Sequence, residues 1–139
     1  MDNRTNDLLK IRLGVKTASL SKNMSSDEYF QNATIRPAIK FQSSLLIEAF
    51  KNYIQKHKNV FYKLDTDKKM EYIENAIQKD IKFRNSLKGI VIGAFTVNEY
   101  KIYILNSSAL NKRMMNIVVE RLKDNLLLIN NNDGFPKAG

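Results

Sequence analysis

Five glycines and two prolines are all the strong backbone breakers in 139 residues. An all-β chain needs turn residues at short, regular intervals. This chain lacks them, and its apolar residues recur at the three- and four-residue spacing of an amphipathic helix. The fold predicted is all-α, a compact bundle of five or six helices with short connections. Its length is that of one ordinary domain. Residues 1–129 read as a single helical domain. The run Asn130-Asn131-Asn132-Asp133-Gly134 stops the last helix, so 130–139 read as a disordered tail.

Residues 5–20 predict a weakly amphipathic first helix interrupted by Gly14, followed by a polar loop from Ser21 to Ser26. Ser26 offers an N-cap, with Asp27 and Glu28 in the first turn favouring the helix dipole. Pro37 disfavours helical geometry at Arg36, so this short helix is expected to end near Thr34. Pro37 then fits the first turn of a new helix running to about His57, with Ala38, Leu45, Leu46, Ala49, Phe50, Tyr53 and Ile54 on one arc. Asp65 or Thr66 caps a long helix reaching about Ala94, striped by Met70, Ile73, Ala76, Ile77, Leu87, Val91 and Phe95. Its Gly89 and Gly93, one turn apart, suit close approach of another backbone. Thr96 and Glu99 form a capping box over a short helix. Asn106 or Ser107 opens the last long one, through Leu110, Met114, Ile117, Val118, Leu122 and Leu126. Met114 and Met115 point to different sides of it, one toward the core and one toward a contact surface or subunit interface.

Polar residues interrupt these faces. At about 100° per residue, Asp80 and Arg84 fall within roughly 20° of the centre of the long helix's apolar stripe. They are four apart, acid first, the favourable order for an ion pair. Arg121 falls between Leu110 and Met114 on the helical wheel of the last helix, and Gln42 and His57 lie inside the arc of the Pro37 helix. Two readings stay open. Asp80 and Arg84 form a buried structural pair, since buried charge must be paired. Alternatively Asp80, Arg84, Arg121, Gln42 and His57 converge on a pocket whose second guanidinium binds a carboxylate or phosphate.

The net charge of +9 is uneven: residues 36–64 carry six basic side chains and one acid. Such an excess attracts nucleic acid, anionic lipid or acidic protein surfaces. Lys40, Lys51 and Lys58 line the outer side of the Pro37 helix. Lys112 and Arg113, near the start of the last helix, suit a phosphate. The six basic residues of 36–64 are spread around their helix and beyond it, with no aromatic interleaving on the same face, so the nucleic-acid footprint is weak. Cysteine is absent, which excludes disulfides and thiolate chemistry. The single histidine, His57, forms no zinc-binding spacing with another ligand, and no phosphate loop, GxGxxG or nucleophile elbow is present. Neither a metal nor a cofactor is expected. The N-terminus lacks signal-peptide order and the longest apolar run falls far below the ~18 residues of a membrane span, so a cytoplasmic address with no membrane partner is the default.

The segment Lys82-Phe83-Arg84-Asn85 and the run Asn106-Ser107-Ser108-x-Leu110-Asn111-Lys112-Arg113-Met114-Met115 resemble a small bacterial family of uncharacterised helical proteins. The resemblance covers about Met24 to Leu122. It implies a helical fold, and some members carry a glyoxalase label. Proteins of that class use βαβββ units with His and Glu metal ligands, and no such ligand carries over onto a residue of this chain.

Three functions follow in order. The first is a non-enzymatic protein-interaction module acting as a homodimer, from the breadth of the apolar arcs. The second is a basic nucleic-acid-binding protein, and the third a small-anion receptor or enzyme built on the polar pocket.

Overall fold

The computed structural model of the chain describes residues 2–13 and 24–131, and their regular structure is helical throughout, with no strand. The expected break at Gly14, the helix out to residue 20 and the loop over residues 21–23 lie outside the described residues, as does the tail from 132. Five helices of 11 to 18 residues carry the bundle: α1 (Asn3–Leu13), α4 (Ser43–Lys56), α5 (Thr66–Lys79), α6 (Ile81–Ile92) and α8 (Ser107–Asp124). Shorter pieces join them: α2 (Ser26–Phe30), α3 (Arg36–Phe41), α7 (Val97–Tyr103) and α9 (Leu126–Asn130). No helix among the described residues is long and apolar enough to cross a membrane.

Local chemistry explains most boundaries. Asp2 opens α1 by accepting from the Thr5 amide at 2.6 Å and its hydroxyl at 3.1 Å. The cap of α2 is Ser25, one residue before the Ser26 expected, accepting from the Glu28 amide at 3.1 Å. Asp65 caps α5 through the Lys68 amide at 2.9 Å. Thr96 and Glu99 form the full capping box of α7.

Three expected boundaries are overturned. The chain does not break before Pro37: Gln31–Ile35 form a π-helical turn that joins α2 to α3, with Arg36 in ordinary helical geometry. The Arg36 amide donates to the Gln31 carbonyl five residues back. That widened turn relieves the clash between a proline ring and the carbonyl four residues earlier, so the helix passes through. The kink comes instead at Gln42, whose φ of −93° and ψ of 6° leave the helical range. Conversely, the long helix expected from Asp65 to Ala94 is two. Asp80 adopts extended backbone, φ −91° and ψ 98°, ends α5 and caps α6 by accepting from the Phe83 amide at 3.1 Å. Aspartate's side chain competes for backbone amides, which makes it a better cap than helix interior. The last helix is likewise divided, at Asn125, whose side chain donates to the Arg121 carbonyl at 2.7 Å.

α8 is the central element, packed on α3, α4, α5, α6 and the π turn. It buries Leu110, Met114, Met115, Ile117, Val118, Val119 and Leu122. Met115 is fully buried in the chain's own core, as is Met114, so neither is the contact-surface residue expected. Phe50, Phe61, Tyr72 and Phe83 extend the core as a cluster of aromatic edges and faces. A Cβ on Gly89 would meet no atom within 4 Å, so no backbone approaches there. The end of α9 is tied down rather than loose. Lys69 donates to the Asn130 side chain at 2.9 Å and Lys51 to the Asn131 carbonyl at 2.7 Å.

Candidate functional site

The corner made by Asp80 between α5 and α6 sits beside the C-terminal turns of α4, and the aromatic side chains of these elements meet there. Phe83 of α6 stacks on Tyr53 of α4, ring centroids 4.2 Å apart and planes 28° apart. Tyr53 in turn stacks on His57, at 4.0 Å and 26°. Residues four apart on a helix share a face, which explains the second contact. The first depends on the Asp80 corner.

The resulting column of three rings ends at His57, which is exposed. The His57 Nδ1 lies 2.8 Å from the Tyr53 carbonyl. A carbonyl only accepts, so Nδ1 carries the proton and Nε2 is the acceptor of the neutral ring. Tyr72 stands edge-on to Tyr53, centroids 6.2 Å apart. Tyr53, His57 and Tyr72, with Val60, Asp80 and Lys82, line a cleft of about 760 Å³. Past Tyr53 and His57 the hollow continues toward Lys56 and Phe83. Both the volume and the apolar wall with a few polar groups suit a small ligand.

Burial and the neighbouring charge set the acidities in the wall. Tyr53 is held above the usual phenol range by burial first, then by the negative charge of Asp80 and hydrogen bonding to it. Tyr72 is pushed up to about 12, by burial first and then by Tyr53. Its hydroxyl is buried and makes no hydrogen bond to the described protein.

The five residues expected to form one pocket do not all meet. Asp80 and His57 share the cleft. Arg84 turns away to Gln78, 3.4 Å from its side-chain oxygen, and forms no ion pair with Asp80. Gln42 donates to the Ile90 carbonyl at 2.9 Å, stapling the kink after α3 to α6. Arg121 is half-buried on α8 and does not line the cleft. The expected stripe required one continuous helix, and the corner at Asp80 resets its phase.

The buried ion pair lies elsewhere, between Arg12 and Glu99. Two guanidinium nitrogens meet the two carboxylate oxygens at 2.6 and 2.9 Å. The Thr96 amide at 2.8 Å and the Thr34 hydroxyl at 2.9 Å supply two further donors. Burial pushes the Glu99 carboxyl up, but the hydrogen bonds and charge of Arg12 with those of Thr96 and Thr34 outweigh it, and its pKa lies below the usual range. With four donors on two oxygens this carboxylate is saturated and its role is structural. Arg12 also donates to the Ala94 carbonyl at 3.1 Å, and Arg4 to Gly93 at 2.7 Å. Two cations of α1 thereby close the C-terminus of α6, where the dipole favours them. Sequence reasoning found Glu99 as a capping residue. It missed Arg12, 87 positions away, because no local spacing encodes the pairing.

The basic residues proposed for nucleic acid do not form one free surface. Lys51 pairs with Glu48 at 3.6 Å as well as holding the end of α9. Arg113 donates to the Gln31 side chain at 2.9 Å. Lys40 is engaged within the fold, while Lys58 and Lys112 are exposed on different elements. Among the described residues no cluster of His, Asp and Glu could hold a metal ion. Comparison with known proteins adds nothing to this geometry: no family model, no curated protein and no solved structure matches the chain.

Proposed function

We propose that this chain is a non-enzymatic interaction module that forms a homodimer through α7 and the 3-10 turn after it (Ile104–Asn106). The observation carrying this reading is the exposure of large apolar side chains on that short stretch. Leu105 is 82% exposed and Ile102 and Ile104 are each 53% exposed, with Val97 and Tyr100 beside them in sequence. Several large apolar side chains exposed along one short stretch suit an association surface. The broad arcs of the longer helices, which first suggested association, are mostly spent on the chain's own core.

A second copy is the occupant that charge favours. The chain carries +9 overall, so two copies repel each other over most of their surface. From Ile102 to Asn111 there is no Asp, Glu, Lys or Arg. Copies meeting there bury apolar surface without opposing like charges. An acidic partner would find Lys101 as the one cation of α7 and none in the turn after it.

Sedimentation equilibrium over a range of concentrations tests the reading, comparing wild type with Leu105→Glu. The substitution lies at an exposed position and leaves the melting temperature close to wild type. The wild type is expected to dimerise and the variant to do so about tenfold more weakly or less, a difference of roughly 1.4 kcal/mol. A wild type monomeric up to about 1 mM, where binding is worth only some 4 kcal/mol, overturns it.

A further inference from the structure

We propose that the cleft at the Asp80 corner is a nucleotide site, taking a base that bears N–H donors on its aromatic wall and the attached phosphate at its lysine rim. The column Phe83–Tyr53–His57 is already a stack of three planar rings, and its last member is exposed. A base laid on His57 extends the stack by one more ring, the contact with which proteins hold bases irrespective of sequence.

The polar groups of the wall select within that class. Asp80 already accepts from the Phe83 amide and from the Tyr53 hydroxyl. A carboxylate has about four lone-pair directions, so capacity remains for an amino or ring N–H of a base. The same negative charge repels a simple aromatic acid. His57 Nε2 offers a second acceptor. Hydrogen-bond donors on the ligand are therefore what the wall is equipped to receive.

The rim supplies the opposite charge. Lys79 and Lys82 flank the corner, and Lys56 borders the adjoining hollow. All three are exposed, and none joins an ion pair among the described residues. Lys82 stands in the first turn of α6, which contains no acid. The Asp80 carboxylate already caps that helix end, so a bound phosphate is held by the lysines rather than by the helix end. The separation of an acceptor-bearing aromatic wall from a cationic edge matches the separation of base from phosphate.

Isothermal titration of the full chain with adenosine and cytidine monophosphates tests the assignment, with ribose 5-phosphate as the probe lacking a base. Both nucleotides are expected to bind, and ribose 5-phosphate about tenfold more weakly or not at all, the loss that one stacking contact carries. His57→Ala removes the platform and Asp80→Asn keeps a capping side chain while removing the charge. Each is expected to weaken nucleotide binding about tenfold, and the exposed Lys82→Ala to weaken it in a salt-dependent way. Circular dichroism confirms that the variants fold. Absent nucleotide binding, or binding unchanged in both His57→Ala and Asp80→Asn, overturns the proposal. A short single-stranded oligonucleotide distinguishes the source. Tighter binding than the mononucleotide, falling steeply with salt, assigns the site to a strand, and equal binding assigns it to free nucleotide.

Discussion

Lys58 and Asn59 both hold left-handed backbone, with φ of 64° and 59°, at the point where α4 must turn into the wall of the cleft. The Asn59 amide closes the helix by donating to the Ile54 carbonyl at 3.0 Å, the bond of a Schellman ending. Asparagine tolerates this geometry, but a lysine there sets its Cβ against the neighbouring carbonyl. Lys58→Gly removes that contact and is expected to stabilise the chain by about 0.5–1 kcal/mol. The check is the urea midpoint. A lower midpoint would show that the Lys58 side chain contributes more than its strain costs. Caps were the most legible features at this scale, because a cap bond spans three residues. Asp65 and the Thr96–Glu99 box were readable for that reason, and even the misplaced cap of α2 missed by a single residue. The ring stack was not legible, since Phe83 and Tyr53 meet only once two helices have been placed.

Helix boundaries turned on the competition between side-chain and backbone hydrogen bonding. Proline was expected to break a helix and is absorbed. Aspartate was expected to lie within one and breaks it. Periodicity alone sees neither outcome, because Ile73, Ile77, Leu87 and Val91 keep an unbroken helical spacing across Asp80 while the backbone does not. The cap reading has a measurable signature. Asp80→Ala is expected to cost about 1 kcal/mol, the usual worth of an N-cap, and Arg84→Ala less than about 0.5 kcal/mol, as for other surface changes. Were the two a buried pair, removal of either would cost about 3–5 kcal/mol. Urea denaturation of the two single variants separates these cases, and a large loss in Arg84→Ala would contradict the geometry described.

Over the whole molecule, the Arg12–Glu99 pair joins the first helix to a bundle that is otherwise organised around α8. The all-helical architecture was legible because helical spacing and scarce breakers act throughout the chain. The long-range clamp was not, because both its residues look ordinary in their local segments. The lowered pKa of Glu99 fixes the sign of its pH effect. Its ionised form is favoured by folding, so its stabilisation is present above the ordinary value of 4.5 and is lost as pH falls through the lower folded value. Wild-type stability should therefore decline in that acid range. Glu99→Gln should be less stable near neutrality by about 3–5 kcal/mol, with Arg12 left buried and unpaired, and should show a shallower acid decline. Urea titrations across the acid range measure both, and parallel pH profiles for the two proteins would contradict the assignment.

The π turn at Gln31–Ile35 gives the segment before it an angular offset from the segment after it. One additional residue in a helix rotates what precedes it by about 100°. The turn thus works as a phase shifter: Phe30 meets Phe95 edge-on at 5.8 Å while Ile35, Ala38 and Ile39 face the same interior from the other side of the shift. A proline that would ordinarily divide this stretch is instead carried within one stiff arm. That arm delivers Thr34 to Glu99, so the orientation of the N-terminal clamp is set by the winding of a single turn.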